Sequence, residues 1–215
     1  MQNELQPARV EPAEWLGDWH PLVEQLGSTD GLVALGEVSS LMRVPAVADL
    51  PSLRRFLLSY QRRILLPLEL PAIQRAFDHT SRNELRELVA LDRKLAREAA
   101  LQPFAEASQR VGQSQLRKLQ PLRDERLPRR YREAVERREA GAWHTLVYGL
   151  TLALYSMPLR QGLLGYGFQT TRGFIHSAAK SLRLSERECR ALHEELCAGL
   201  PPAVETLLAR RGELR

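Results

Sequence analysis

The chain has few of the residues from which disulfide frameworks and metal clusters are built. It contains two cysteines and five histidines in 215 residues, which argues against a disulfide-rich fold. Its most apolar run, residues 146–157, is about 12 residues long, whereas a membrane-spanning helix needs roughly 20. The first residues lack the basic and then apolar order of a secretory signal. We therefore expect a cytoplasmic protein.

Linkers and low-complexity segments are also lacking. The thirteen prolines and thirteen glycines are spread along the chain, so no Gly/Ser-rich linker separates two domains. We predict one domain over residues 1–215, with flexible ends at 1–19 and 210–215 and a basic connection at 120–140.

The pattern of apolar residues is helical throughout. Apolar side chains recur at spacings of three and four, as in Leu53, Phe56, Leu57, Tyr60 and Ile64, and no segment alternates as a strand would. Prolines 67, 103 and 121 are expected to end helices. Capping boxes are predicted at Ser81-x-x-Glu84 and at Ser185-x-x-Glu188. The sequence predicts an all-α, single-domain bundle of about nine to ten helices.

Small residues mark the places where helices are expected to cross closely. Residues 142–184 are apolar nearly all round and contain five glycines, Gly149, Gly162, Gly165, Gly167 and Gly173. A glycine inside a helix costs about 0.5–1 kcal/mol relative to alanine, so close packing is the best reason to keep so many. The same interpretation applies to residues 105–112, and the close-packing residues that we predict are Glu106, Ser108, Gly112, Gly165 and Gly173.

The positive charge of the chain is concentrated in one segment. Residues 117–138 hold nine Lys or Arg and four Asp or Glu, a difference of +5 that equals the net charge of the whole chain. This segment could contact phosphate groups or an acidic protein surface. It could equally be a solvated connection, because its arginines are not interleaved with a platform of aromatic residues for base stacking; Tyr131 is the one aromatic residue among them.

The sequence contains no complete catalytic or cofactor-binding motif. Gly31 and Gly36 have the spacing of a phosphate-binding loop, but Glu37 stands where the loop needs lysine. His144 and His176 lie in the apolar central segment and fit core or interface positions better than catalytic ones. We predict no catalytic residue and no cofactor-binding residue. A helical enzyme is the least supported alternative, because no motif favours it.

Cys189, His193 and Cys197 are spaced four apart and share one helical stripe. Over eight residues a helix rises about 12 Å, so both thiols cannot lie within about 2.3 Å of one zinc ion. We therefore predict no metal site. Cys189 and His193 are the candidates for any metal contact.

Read in order, several motifs together resemble the urease accessory protein UreF family. The matching features are the 27–32 stretch, Glu69-Leu70-Pro71 at the end of a long helix, and Leu91-Asp92. They continue with Ala105-Glu106-Ala107-Ser108 and Gly112, the 144–154 segment, and Ser177-Ala178-Ala179-Lys180. The resemblance covers roughly residues 20–200. The family's Pro-Leu-Gly-Gln element departs to Arg183-Leu184-Ser185-Glu186, and an N-terminal Pro-x-Gly-Gly signature is absent.

The resemblance implies a non-enzymatic adaptor for nickel insertion into apo-urease. Such an adaptor would dimerise, join a UreD/UreH-type scaffold protein and recruit the GTPase UreG. Nickel would be handled by the complex, with no cofactor bound stably by this chain. We expect the partner interface to include Lys180, Arg183, Glu186, Arg172 and His176. Lys180 would present its charge to the GTPase or to the dimer partner, and the alternative is an ordinary lysine at a helix end.

Overall fold

The structure is a computed structural model that describes residues 39, 43–119 and 126–213. The 27–32 motif, the Gly31 and Gly36 pair and the predicted flexible end at 1–19 lie outside these residues. Most of the described residues are helical and none of them forms a strand, which confirms the all-α prediction.

Nine α-helices are formed by the described residues. They are α1 Leu50–Tyr60, α2 Leu70–Ser81, α3 Leu85–Leu95, α4 Ala105–Lys118, α5 Arg126–Glu136, α6 His144–Leu154, α7 Leu159–Leu182, α8 Glu186–Cys197 and α9 Leu200–Glu213. A π-type segment, Gln61–Glu69, joins α1 to α2, and a 3₁₀ segment, Ala99–Phe104, leads into α4. Because α1, the π-type segment and α2 form one continuous helix, the described residues contain fewer separate helices than the nine to ten expected.

Two prolines that were expected to end helices do not do so. Pro67 lies inside the π-type segment, where the amide of Leu70 bonds the carbonyl of Leu65, five residues earlier. This wider ladder accommodates a residue that has no amide hydrogen to donate. Pro103 lies inside the 3₁₀ segment that continues into α4. Both helix ends predicted from these prolines are therefore wrong.

One of the two capping boxes is present. Ser185 caps α8, since its hydroxyl oxygen accepts a hydrogen bond from the Glu188 amide, and the Glu188 carboxylate accepts one from the Ser185 amide. At the other site α2 continues through Ser81, whose hydroxyl donates to the Phe77 carbonyl. Glu84 instead accepts at 2.8 Å from Nδ1 of His79, so the predicted box at Ser81 is wrong.

Helix α6 is the centre of the bundle. Its residues from His144 to Leu152 are all buried, and it packs mainly against α2 and α4. At the crossing with α2, a Cβ on Gly149 would lie 2.4 Å from the Ile73 carbonyl oxygen. The two backbones touch there, and only glycine permits it. Gly149 therefore sets the α2–α6 distance.

The stretch predicted as a basic connection is in part a packed helix. Helix α5 buries Leu127, Pro128, Tyr131 and Ala134, and its basic side chains lie mainly on the opposite face. The amphipathic spacing of these four residues explains why the segment folds against the body. The predicted flexible end at 210–215 also continues as helix through Glu213.

Candidate functional site

Asp92 fixes the loop that leads into α6. This α3 residue is 1% exposed, and its carboxylate accepts hydrogen bonds from Tyr131 Oη at 2.5 Å, Gly141 N at 2.7 Å and Ala142 N at 2.9 Å. Burial raises the pKa of Asp92, and the hydrogen bonds from Gly141, Tyr131 and Ala142 oppose that rise. One buried side chain therefore joins α3, α5 and the loop before α6.

Ser108 and Gly112 hold the same loop from α4. The Ser108 hydroxyl oxygen accepts a hydrogen bond from the His144 amide at 3.1 Å, which satisfies one free donor at the start of α6. A Cβ on Gly112 would lie 1.9 Å from the Ala142 carbonyl oxygen. Asp92, Ser108 and Gly112 together are called the loop anchor below.

The loop anchor also holds a strained residue in place. Ala142 has a φ of 60°, in the left-handed region that costs a residue with a Cβ about 1 kcal/mol. It is fully buried and is held by Asp92 on its amide side and by the close approach to Gly112 on its carbonyl side. Asp92, Ser108 and Gly112 thus support the fold and lie away from the surface.

Two of the predicted close-packing residues have a different environment from that expected. Glu106 is exposed, because it lies on the outer face of α4, one residue away from buried Ala107. Gly165 is only half-buried, whereas Gly173 is buried within α7. The sharper close contacts of α7 are at Gly162 and Gly167, whose added Cβ atoms would lie 2.3 Å and 3.0 Å from leucine side chains.

The predicted partner-interface residues lie on one exposed surface. Arg172, His176 and Lys180 follow one another at helical spacing along α7, and all three are exposed. Arg183 and Glu186, at the turn between α7 and α8, are exposed as well. These five residues are called the α7–α8 surface below.

A groove of about 280 Å³ runs beside this surface, between α7 and α8. Its lining combines two arginines, two histidines and one carboxylate with one aliphatic residue and one cysteine: Arg172, Ile175, His176, Glu186, Cys189, Arg190 and His193. Five of these seven are site residues predicted separately from the sequence, and the structure places them together: Arg172, His176, Glu186, Cys189 and His193. Arg190 was missed, although its spacing of four from Glu186 puts it on the same face of α8.

The histidine of the groove contacts a different cysteine from the one paired with it in the sequence. His193 Nε2 lies 3.2 Å from the Phe168 carbonyl oxygen and 3.4 Å from Cys197 Sγ. Burial raises the pKa of the Cys197 thiol to about 11, against a lowering by a hydrogen bond with Thr171. The thiol is therefore protonated near neutral pH.

Metal chemistry gains no support from the described part of the chain. No three His, Cys, Asp or Glu side chains come together there in a way that could hold an ion. Burial, followed by the nearby charge of Glu188, raises the pKa of Cys189. Neither thiol is activated, and both are free of disulfides.

The family is decided by comparison with known protein families. A family model described as UreF matches residues 47–197, about seven-tenths of the chain. The chain belongs to the urease accessory protein UreF family. The family match confirms the resemblance seen in the sequence, and it implies a role as a urease accessory protein. No individual curated protein matches the sequence.

The matched region contains both the loop anchor and the α7–α8 surface. Within the described residues no helix is both long and apolar enough to cross a membrane.

Proposed function

We propose that this UreF-family protein is a non-enzymatic adaptor in nickel insertion into apo-urease. It joins a UreD/UreH-type scaffold protein, recruits the GTPase UreG and presents it to the urease apoprotein. Family membership over residues 47–197 is the observation that carries this proposal. The exposed, mixed-charge α7–α8 surface supports it, because a rigid helical face suits a protein partner better than a small substrate.

In physical terms the adaptor would act by shifting a population. A GTPase has conformations that differ with its nucleotide, and a partner that binds one of them more tightly favours that conformation. Nickel is cargo in this scheme and is handled by the complex, with no stable metal site in this chain. The chain would act as a homodimer within that complex.

Lys180 is the residue that we assign to contact with the GTPase or the dimer partner. Its side chain is exposed in the last turn of α7, beside His176 one turn earlier. A lysine in the last turn also interacts favourably with the helix dipole, which is the purely structural alternative. If a folded Lys180→Ala protein supports full urease activation, this assignment is removed.

The proposal is tested by co-expression with UreD- and UreG-type proteins from the same genome. Size-exclusion chromatography with light scattering should show a complex of defined stoichiometry that contains two copies of this chain. If the chain elutes alone with both partners present and folded, the adaptor proposal fails. A complex that contains one copy of this chain would contradict the proposed homodimer and would leave the adaptor proposal standing.

A second candidate function rests on the basic segment 117–138. A groove of about 330 Å³ between α4 and α5 has three arginines, Arg117, Arg132 and Arg138, in its lining. Such a groove could bind an acidic protein segment or nucleic acid. Ion pairs within α5, Arg129 with Glu133 at 3.8 Å and Arg132 with Glu136 at 3.5 Å, neutralise part of its charge.

Salt dependence and a matched pair of variants distinguish the possibilities for the basic segment. If the segment binds duplex DNA, the binding should weaken steeply as salt increases. Arg132→Gln, in the groove, should reduce the slope of the logarithm of the binding constant against the logarithm of salt concentration by about one. Arg130→Gln, an exposed arginine on the same helix, removes the same charge outside the groove. If low salt gives no DNA binding, the nucleic-acid function is excluded.

A further inference from the structure

A small cavity lies between the π-type segment, α4 and the start of α6. Its volume is about 10 Å³, which is about the smallest space that can hold one water molecule. Apolar side chains form part of its wall, and four residues with polar groups complete it: Glu69, Ser108, Trp143 and Thr145. All four are buried.

Trp143 brings a buried hydrogen-bond donor to this cavity. The residue is 2% exposed, and its indole Nε1 has no hydrogen-bond acceptor in the described part of the chain. A buried donor left without an acceptor costs about 1–3 kcal/mol. A water-sized cavity that Trp143 itself lines, with polar residues in part of its wall, is a natural place for that acceptor.

Glu69 supplies the complementary acceptor. It is 7% exposed, and its carboxylate accepts a hydrogen bond from Tyr60 Oη at 2.6 Å. Tyr166 also interacts with this carboxylate. Because a carboxylate has about four lone-pair positions, two such bonds still leave room for a third donor. The π-type segment ends at Glu69, and π-type turns are frequent at functional sites.

Ser108 provides a further polar group on the cavity wall. Its oxygen already accepts from the His144 amide at 3.1 Å, and its own hydroxyl hydrogen can still be donated. A water beside it would therefore meet two donors, the indole and the hydroxyl, and one strong acceptor. Three partners are typical of a buried structural water.

We propose that this cavity holds one ordered water molecule that accepts a hydrogen bond from Trp143 Nε1 and donates one to the Glu69 carboxylate. This water links the π-type segment to the residue that precedes α6. It extends the loop anchor, because Ser108 belongs to both. A larger polar ligand does not fit in the space.

The proposal is tested by nuclear magnetic resonance on the full chain labelled with ¹⁵N. The chain has three tryptophans, Trp15, Trp19 and Trp143, so three indole signals are expected, and Trp143→Phe assigns one of them by its loss. We expect a direct magnetisation-transfer cross-peak between the Trp143 indole proton and a long-lived water. Absence of this cross-peak in the folded protein would overturn the proposal.

A variant that fills the cavity provides a second test of the proposed water. Ala72 lines the cavity and is buried, so Ala72→Val should displace the water and abolish the cross-peak. Ala179→Val adds the same atoms at a half-buried position of α7 outside the cavity and should leave the cross-peak intact. Persistence of the cross-peak in a folded Ala72→Val protein would place the water elsewhere and overturn the assignment. If Ala72→Val does not fold, the cross-peak in the unaltered chain decides alone.

Discussion

The loop anchor and the α7–α8 surface differ in what surrounds their polar groups. Asp92 is enclosed and accepts three hydrogen bonds from elements far apart in the chain, whereas Lys180, Arg183 and Glu186 are exposed. Removing a buried acceptor leaves its donors without partners, which is costly. Removing an exposed charge leaves groups that water can solvate. We therefore expect changes at the anchor to affect folding and changes at the surface to affect binding.

The largest effect is expected at Asp92. Asp92→Ala leaves the amides of Gly141 and Ala142 and the hydroxyl of Tyr131 without their acceptor, so we expect a loss of about 4 kcal/mol in the free energy of unfolding. Urea denaturation measures this loss. Tyr155→Ala, a change at an exposed aromatic residue (51% exposed), is the control and should cost little. A loss below about 1 kcal/mol for Asp92→Ala would contradict the anchor.

Gly112 should be nearly as sensitive. Gly112→Ala places a Cβ 1.9 Å from the Ala142 carbonyl oxygen, a backbone atom that cannot move aside cheaply. We expect a loss of about 3 kcal/mol, at the upper end for an overpacked core. Gly199→Ala is the matched control, because nothing lies within 4 Å of its added Cβ. Equal stability of the two variants would refute the close approach at Gly112.

Cys197, the cysteine in contact with His193, should react slowly. A pKa of about 11 in place of the ordinary 9.0 lowers the thiolate fraction of Cys197 near pH 8 about 100-fold. Alkylation followed by mass spectrometry should show this lag in the folded protein and lose it in urea. In the folded protein the rate should keep rising about tenfold per pH unit up to pH 10, whereas an ordinary cysteine levels off near 9. A Cys197 that reacts as fast folded as unfolded would disprove its burial against His193.

The smallest change in stability is expected at the surface. Lys180→Ala should alter the free energy of unfolding by no more than about 0.5 kcal/mol, as is usual for an exposed residue. Lys94→Ala is the matched control, because Lys94 is also exposed and lies in the last turn of its helix, α3. A loss of more than about 2 kcal/mol at Lys180 would mean that the lysine belongs to the fold.

The sequence predicts the kind of structure better than its details. Periodic apolar residues identify helices, and the Ser185 capping box marks the start of α8, because these signals depend on neighbours in the chain. The roles of Pro67 and Ser81 depend on how the helix ladder is continued through tertiary packing, and both were misjudged. Helix α5 lies within the stretch predicted as a basic connection, and the helical spacing of Leu127, Tyr131 and Ala134 is the sequence signal for its packed face.

The candidate site was predictable to a similar degree. Asp92, Ser108 and Gly112 belong to the motifs that resemble the family, but only the structure shows that all three contact the loop before α6. The spacing of Arg172, His176 and Lys180 implies a shared helix face. Arg190 and the contact between His193 and Cys197 depend on how α8 is placed against α7. The exposure of Glu106 follows from the rotation of α4, which its neighbours in sequence do not fix.

The most direct test of the account compares Lys180→Ala with Lys94→Ala in the co-expressed complex with the scaffold protein and the GTPase. The account predicts that both variants unfold at the same urea concentration as the unaltered chain. It also predicts that only Lys180→Ala loses GTPase affinity, by about tenfold, or about 1.4 kcal/mol. Undiminished GTPase binding by a folded Lys180→Ala protein, or equal losses in both variants, would contradict the claim that the α7–α8 surface carries the function.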